Sequence, residues 1–232
     1  RPAQFFPETT MSDLCSTQAT KLPFVIGAGL GRTGTLSLHT ALNDIGYKTL
    51  HIKDTFGSSD LWVEFAKAKR SSDTVKADEL AISVANRIKS DGFTATTDFP
   101  ACLLYKELLQ MEPDAKVILS IRSSAEAWAD SVLETIGIAG LSGNKSPFME
   151  NVYPWLWEEI GIYPLGTMDL TKPLDRDALI EAYHKWNDLV ISTVPKEKLL
   201  VHKSAEGYGP ICKLLGLNPN DCPSEFPHVN DR

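Results

Sequence analysis

Residues 22–42 read LPFVIGAGLGRTGTLSLHTAL, and no other stretch limits the fold of this chain as tightly. Leu22, Phe24, Val25 and Ile26 form the short apolar run that a strand buried on both faces requires. Gly27, Gly29 and Gly31 follow at every second position, then Arg32-Thr33-Gly34-Thr35. From Leu36 the period becomes helical: Leu36, His39 or Thr40, and Ala41-Leu42 share a stripe that Gly46 stops. Strand, glycine-rich turn and helix N-terminus together make an anion site. First-turn amides point outward, the helix dipole is positive there, and glycine lets a phosphate reach the backbone. A nucleotide or another phosphate ester is the expected ligand.

Three loop chemistries fit. Gly29-x-Gly31-x-x-Gly34 matches the dinucleotide fingerprint, with Asp54 twenty residues past Gly34, where a ribose-binding acid belongs. Gly29-x-x-x-x-Gly34 also matches the start of a Walker A loop, but Thr35 stands where the lysine should follow. The third takes Arg32-Thr33-Gly34-Thr35 as the core: an arginine caps the loop while hydroxyls and amides at the helix start hold one terminal phosphate. A single glycine pattern does not separate them.

At 232 residues and 43% hydrophobic content, the chain can bury a substantial core as one α/β domain. A net charge of −7 argues against a nucleic-acid surface, so an anionic ligand must be held by local cations. No apolar run reaches the ~18 residues of a membrane span, and no signal-peptide pattern opens the chain. Cys15, Cys102, Cys212 and Cys222 are far apart and lack metal-site spacing, so they read as free thiols with no metal. That reading points to a reducing, cytoplasmic compartment. Residues 1–21 are polar and aperiodic, expected to be disordered or foreign to a domain spanning 22–232. Met11 is a candidate natural start, with Arg1–Thr10 a cloning remnant or cleaved stub.

Downstream, strands alternate with helices. Tyr47–Ile52, Gly92–Thr97, Ala115–Ile121 and Lys198–His202 read as strands. Helices are expected over Asp60–Arg70, Asp73–Lys89, from Pro100 to Met111, Ser124–Ile136, Leu174–Val194 and Gly207–Leu215. In the second of these, Val75, Leu80-Ala81 and Val84-Ala85-Ile88 form the inward stripe. Gly137–Thr171 is irregular and aromatic; its Phe148, Tyr153, Trp155 and Trp157 either fill the core beneath a flap or line an acceptor pocket. The pattern specifies a three-layer, doubly wound, mostly parallel sheet with ligands at the strands' carboxyl ends.

Two further strand ends carry chemistry. Asp98, in Thr97-Asp98-Phe99-Pro100, is either a helix cap or a general base facing the phosphate site. Arg122, with Ser131 about two turns into the next helix, is either a salt-bridge partner or a bidentate phosphate fork.

The motifs occur in an order that resembles the PAPS-dependent sulfotransferases, and most closely a branch found in fungi, algae and bacteria with GAGLPRTGT-SL, D-W-P-A and F-P-R-V-N-D motifs. This chain has GAGLGRTGTLSL (Gly27–Leu38), DFPA (Asp98–Ala101), VILSIR (Val117–Arg122) and FPHVND (Phe226–Asp231). The resemblance implies a P-loop-like phosphosulfate loop in which Gly31, Arg32, Thr33, Gly34, Thr35 and Leu36 bind the 5′-phosphosulfate, Arg32 standing for the loop lysine of the cytosolic enzymes. Arg122 and Ser131 would hold the 3′-phosphate of PAPS and of the product PAP, and Asp98, with Arg32, would be catalytic in the place of a histidine. Phe99 and the four aromatics would shape the acceptor pocket. Gly31 for the branch's proline implies a looser loop, the longer Arg122–Ser131 spacing leaves the phase of Ser131 open, and His228 for arginine removes a permanent charge.

The implied reaction moves a sulfuryl group to the hydroxyl or amine of a small apolar acceptor, without metal or nucleic acid; self-association as a homodimer is left open. An NAD(P)-dependent oxidoreductase and an inactive nucleotide-binding relative are the alternatives. His39 and His51 are read as structural, with reserve roles as bases.

Overall fold

The computed structural model describes residues 22–55 and 59–229. The expectations placed on residues 1–21, including Met11 and Cys15, and on Asn230 and Asp231 lie outside the described residues. Five strands, β1 (Val25–Gly27), β2 (Thr49–Leu50), β3 (Ala95–Thr96), β4 (Lys116–Ser120) and β5 (Leu199–His202), form one sheet in the order β2-β3-β1-β4-β5. Every neighbouring pair is parallel, with Val25 beside both Ala95 and Lys116. Parallel neighbours need crossover connections, and helices supply them on both faces. The chain is a single α/β domain.

Alternation along the strands divides the core in two. Val25 and Ile118 face α1 (Thr35–Asp44) and α9 (Gly209–Leu215). Ile26, Val117 and Leu119 face the larger layer. That layer contains α3 (Ser59–Arg70), α4 (Thr74–Ser90), α5 (Tyr105–Met111), α6 (Ala125–Leu133), α7 (Tyr153–Glu159) and α8 (Arg176–Thr193). A one-turn helix, α2 (Ile52–Thr55), follows β2. Side-chain caps begin three helices where the sequence placed them: Asp73 accepts from the Lys76 amide, Ser124 from Ala127 and Asp175 from Ala178.

Several expectations change. β2 and β3 are two residues each, because the chain turns at His51 as Asp54 Oδ2 accepts from the His51 amide. Val75 is 71% exposed, and Ala77, two residues later and one turn before Ala81, takes its inward place. Pro100 does not open an α-helix: a 3₁₀ turn, Ala101–Leu104, comes before α5. Gly137–Thr171 is far from irregular, since it holds a 3₁₀ segment (Ile136–Ser142), a π turn (Phe148–Val152) and α7. Pro154 sits in the first turn of α7, where no amide hydrogen is needed, so its presence hid a helix. Glu158 on α7 is fully buried and takes a bidentate grip from Arg70 at 2.7 and 3.1 Å, pinning this segment to α3.

The free-thiol reading is also corrected. Cys212 and Cys222 are joined in a disulfide, and only Cys102 among the described cysteines is free. With two thiols oxidised, the compositional case for a reducing compartment no longer stands. No helix among the described residues is long and apolar enough to cross a membrane.

Candidate active site

All five strands deliver residues at their carboxyl ends to one cavity of about 790 Å³. β1 contributes Gly31–Ser37, β2 His51, β3 Asp98 and Phe99, β4 Arg122 and Ser123, and β5 Lys203–Ala205. The three stretches singled out in the sequence meet there because β3 and β4 flank β1.

The loop after β1 is braced from below. Trp186 Nε1 donates to the Ala28 carbonyl at 2.9 Å, and Trp128 Nε1 to the Gly31 carbonyl at 2.8 Å. Thr33 Oγ1 donates to the Leu30 carbonyl and lies 2.8 Å from Ser120 Oγ. Four hydrogen-bonding contacts thus brace the loop. Glycine at 31 has a steric reason: a Cβ there would lie 2.7 Å from the Phe99 ring and 3.0 Å from Asp98 Oδ1. At Gly34 the backbone is left-handed (φ 88°), and a Cβ would strike Ser204 Oγ at 2.6 Å.

No side chain caps α1, so its first-turn amides remain open to a ligand. Arg32 sits at φ 73°, a left-handed conformation unfavourable for a side chain. Its Nε donates to Ser131 Oγ at 3.2 Å, which settles the phase of Ser131: the hydroxyl faces the loop, buried behind Arg32 rather than on the cavity wall. Arg122 Nη1 donates to the Arg32 carbonyl at 3.3 Å, while its own amide donates to Tyr183 Oη. No ion pair among the described residues uses either arginine. Two guanidinium groups thus face the cavity without being closed in a salt bridge, with the Asp98 carboxyl as the charge nearest Arg32.

Asp98 stands beside them, 7% exposed and also left-handed at φ 69°. Strained non-glycine residues are costly and tend to collect at functional sites, and two of the three among the described residues are Arg32 and Asp98. Burial pushes the Asp98 carboxyl up to about 6, against hydrogen bonds from the Phe99 amide and Thr35 hydroxyl and the Arg32 charge, which pull it down. Its side chain does not cap the following 3₁₀ turn, so the helix-cap reading fails.

The apolar end of the cavity uses Phe99, Phe148, Tyr153 and Trp157, together with Met149 from the same aromatic stretch and Leu156, which the sequence reading missed. Phe99 meets Trp157 edge-on at 5.8 Å, and Trp157 meets Tyr153 at the same distance. Trp155 is a correction. It lies in the core against Phe65, with Nε1 donating to Glu159 Oε2. In the unforeseen helix α7, positions 153 and 157 share a face, and position 155 points the other way.

Asp54, the candidate ribose acid, is absent from the cavity wall and is spent on the turn at His51. From the tail motif, Phe226 is buried against His202 and Tyr208, and the Val229 amide donates to Ser37 Oγ on α1. His228 rests against Phe226. Among the described residues no cluster of His, Cys, Asp or Glu is arranged to hold a metal ion.

Fold and site together define an α/β protein with a cavity at the strand ends lined by Arg32, Arg122 and Asp98. A family model described as a sulfotransferase domain matches residues 24–232, and the chain belongs to that family. It is also similar to the Ava biosynthesis cluster protein M of Aspergillus versicolor: 28% identical over 222 residues, covering 88% of this chain and 80% of the relative.

Proposed function

We propose that the protein transfers a sulfuryl group from PAPS to the hydroxyl or amine of a small apolar acceptor. One observation carries the reading: two guanidinium groups outside any salt bridge, an uncapped helix N-terminus and a buried carboxylate with a raised pKa all line the same cavity. PAPS supplies an activated sulfonate on a phosphate leaving group. Arg32 and the amides of Thr35, Leu36 and Ser37 bind the phosphosulfate and stabilise the negative charge that spreads in an in-line displacement. Arg122 binds the 3′-phosphate; Ser131 supports this end by fixing Arg32. Positioning and electrostatic stabilisation, rather than covalent chemistry by the protein, carry most of the rate in such transfers.

Asp98 takes the acceptor's proton. A free aspartate is a weak base for an alcohol, but one raised to about 6 lies near a working pH. Phe99, Phe148, Met149, Tyr153, Leu156 and Trp157 favour a phenolic, steroid-like or other apolar alcohol over a polysaccharide. The similarity to a biosynthesis cluster protein agrees with a small-molecule acceptor.

The direct test incubates ³⁵S-labelled PAPS with a panel of phenols, steroid alcohols and aryl amines. Label appearing on a panel member, and dependent on Asp98, supports the proposal. PAP binding with no transfer to any of them would favour the inactive-relative reading.

A further inference from the structure

His51 touches the same cavity and has no task in the mechanism above. Its Nε2 lies 3.1 Å from Asp98 Oδ2. Yet that nitrogen is buried and has no aligned hydrogen bond. The distance is that of a hydrogen bond and only the angle is not, so a small rotation of the ring aligns the two groups.

The surroundings fix which nitrogen carries the proton. The Lys53 amide donates to His51 Nδ1 at 3.5 Å, which makes Nδ1 the acceptor and leaves the hydrogen on Nε2, facing Asp98. Burial, then the charges of His39 and Lys53, lower the His51 pKa to about 4, so the ring stays neutral at working pH and keeps that single N–H. The His39 ring meets the His51 ring edge-on at 5.5 Å, and Asp54 Oδ2 accepts from the His51 backbone amide at 3.1 Å, so the ring is packed on one side and the main chain beneath it is held. Asp98 for its part faces Arg32 and Thr35 from the loop and Cys102 from the following turn.

We propose that His51 is the positioning residue for Asp98, its Nε2–H holding Oδ2 so that the other carboxylate oxygen faces the acceptor. This rests on the reading of Asp98 as the base. In the transfer step the acceptor oxygen forms its bond to sulfur as the bond from sulfur to the phosphate oxygen breaks. The acceptor proton goes to the free Asp98 oxygen, and His51 keeps its own. An N–H donated to a carboxylate favours the ionised form, so His51 also checks how far burial can raise Asp98.

The test needs no known acceptor. Asp98 is titrated by ¹³C-carboxyl NMR in the full chain, its signal assigned by its loss in Asp98→Asn. The wild type should titrate near 6, His51→Phe about one unit higher, and His51→Gln, whose amide nitrogen reproduces Nε2, close to the wild type. Equal midpoints in wild type and His51→Phe would overturn the proposal. Should His51→Phe fail to fold, the ¹⁵N signals of the wild-type ring decide: a protonated Nε2 whose shift moves in Asp98→Asn supports it, and a signal indifferent to Asp98 refutes it. Near-normal turnover in Asp98→Asn would instead remove the base while leaving the titration result intact, so the two failures are distinguishable.

Discussion

Arg122 Nη1 donates to the main-chain carbonyl of Arg32 across 3.3 Å, tying the cation at the end of β4 to the loop that leaves β1. The contact fixes the Arg122 guanidinium against the loop that carries Arg32, whose own guanidinium is held by Ser131, although 90 residues separate the two arginines.

Arg122→Met should therefore weaken PAP binding about 10- to 100-fold, the usual worth of a charge-assisted hydrogen bond. Its melting temperature should fall by only about 2–4 °C, because Arg122 takes part in no ion pair among the described residues and the variant loses one partly buried hydrogen bond. Calorimetric titration beside a thermal melt measures both.

Asp98→Asn should separate function from stability. Turnover should fall by two orders of magnitude or more with PAP affinity retained. Folding should improve at neutral pH. Burial pushes the native carboxyl up to about 6 from an ordinary 3.8, so the native state binds more protons than the unfolded chain across that interval, and stability drops as pH rises through it. The difference amounts to about 3 kcal/mol at 1.36 kcal/mol per unit. The variant should gain that much at pH 7 and nothing below pH 4, as urea melts across pH will show.

Glu158 works in the opposite direction. Burial pushes its carboxyl up, but the Arg70 guanidinium and the backbone amides around Met168 and Gly166 more than offset this, holding it below the ordinary range. Its contribution is present above the unfolded carboxylate pKa, about 4.3, and disappears as pH falls through the lower native value. Arg70→Met leaves a buried carboxylate without its cation and should cost about 3–5 kcal/mol at pH 7. Replacing both partners by methionine should restore most of the loss.

Reducing the Cys212–Cys222 bond should destabilise the fold by about 2–4 kcal/mol, from the chain entropy of a short loop. Because Phe226 and Val229 follow it and Val229 is fastened to Ser37 on α1, PAP affinity should fall as well. Melts and titrations with and without dithiothreitol check this.

Much of the site was legible because strand ends and glycines are local signals. Val25–Gly27, Lys116–Ser120 and the motif residues Arg32, Asp98 and Arg122 could be placed from periodicity and order alone. What depended on tertiary approach could not. The left-handed backbone of Arg32 and Asp98 leaves no mark in composition, and neither does the bond between Cys212 and Cys222. α7 was hidden by Pro154, and with it the phase that turns Trp157 to the cavity and Trp155 to the core. His51 was read only as structural or as a reserve base, because its place beside Asp98 is made by the fold.

Calorimetric titration of the purified protein with PAP, alongside ATP and NADP⁺, bears on the central claim most directly. PAP alone should bind at one site per chain, and the heat should be lost in an Arg32→Ala, Arg122→Ala double variant that still folds. Binding of NADP⁺ or ATP in place of PAP, or PAP binding unaffected by the loss of both arginines, would contradict it.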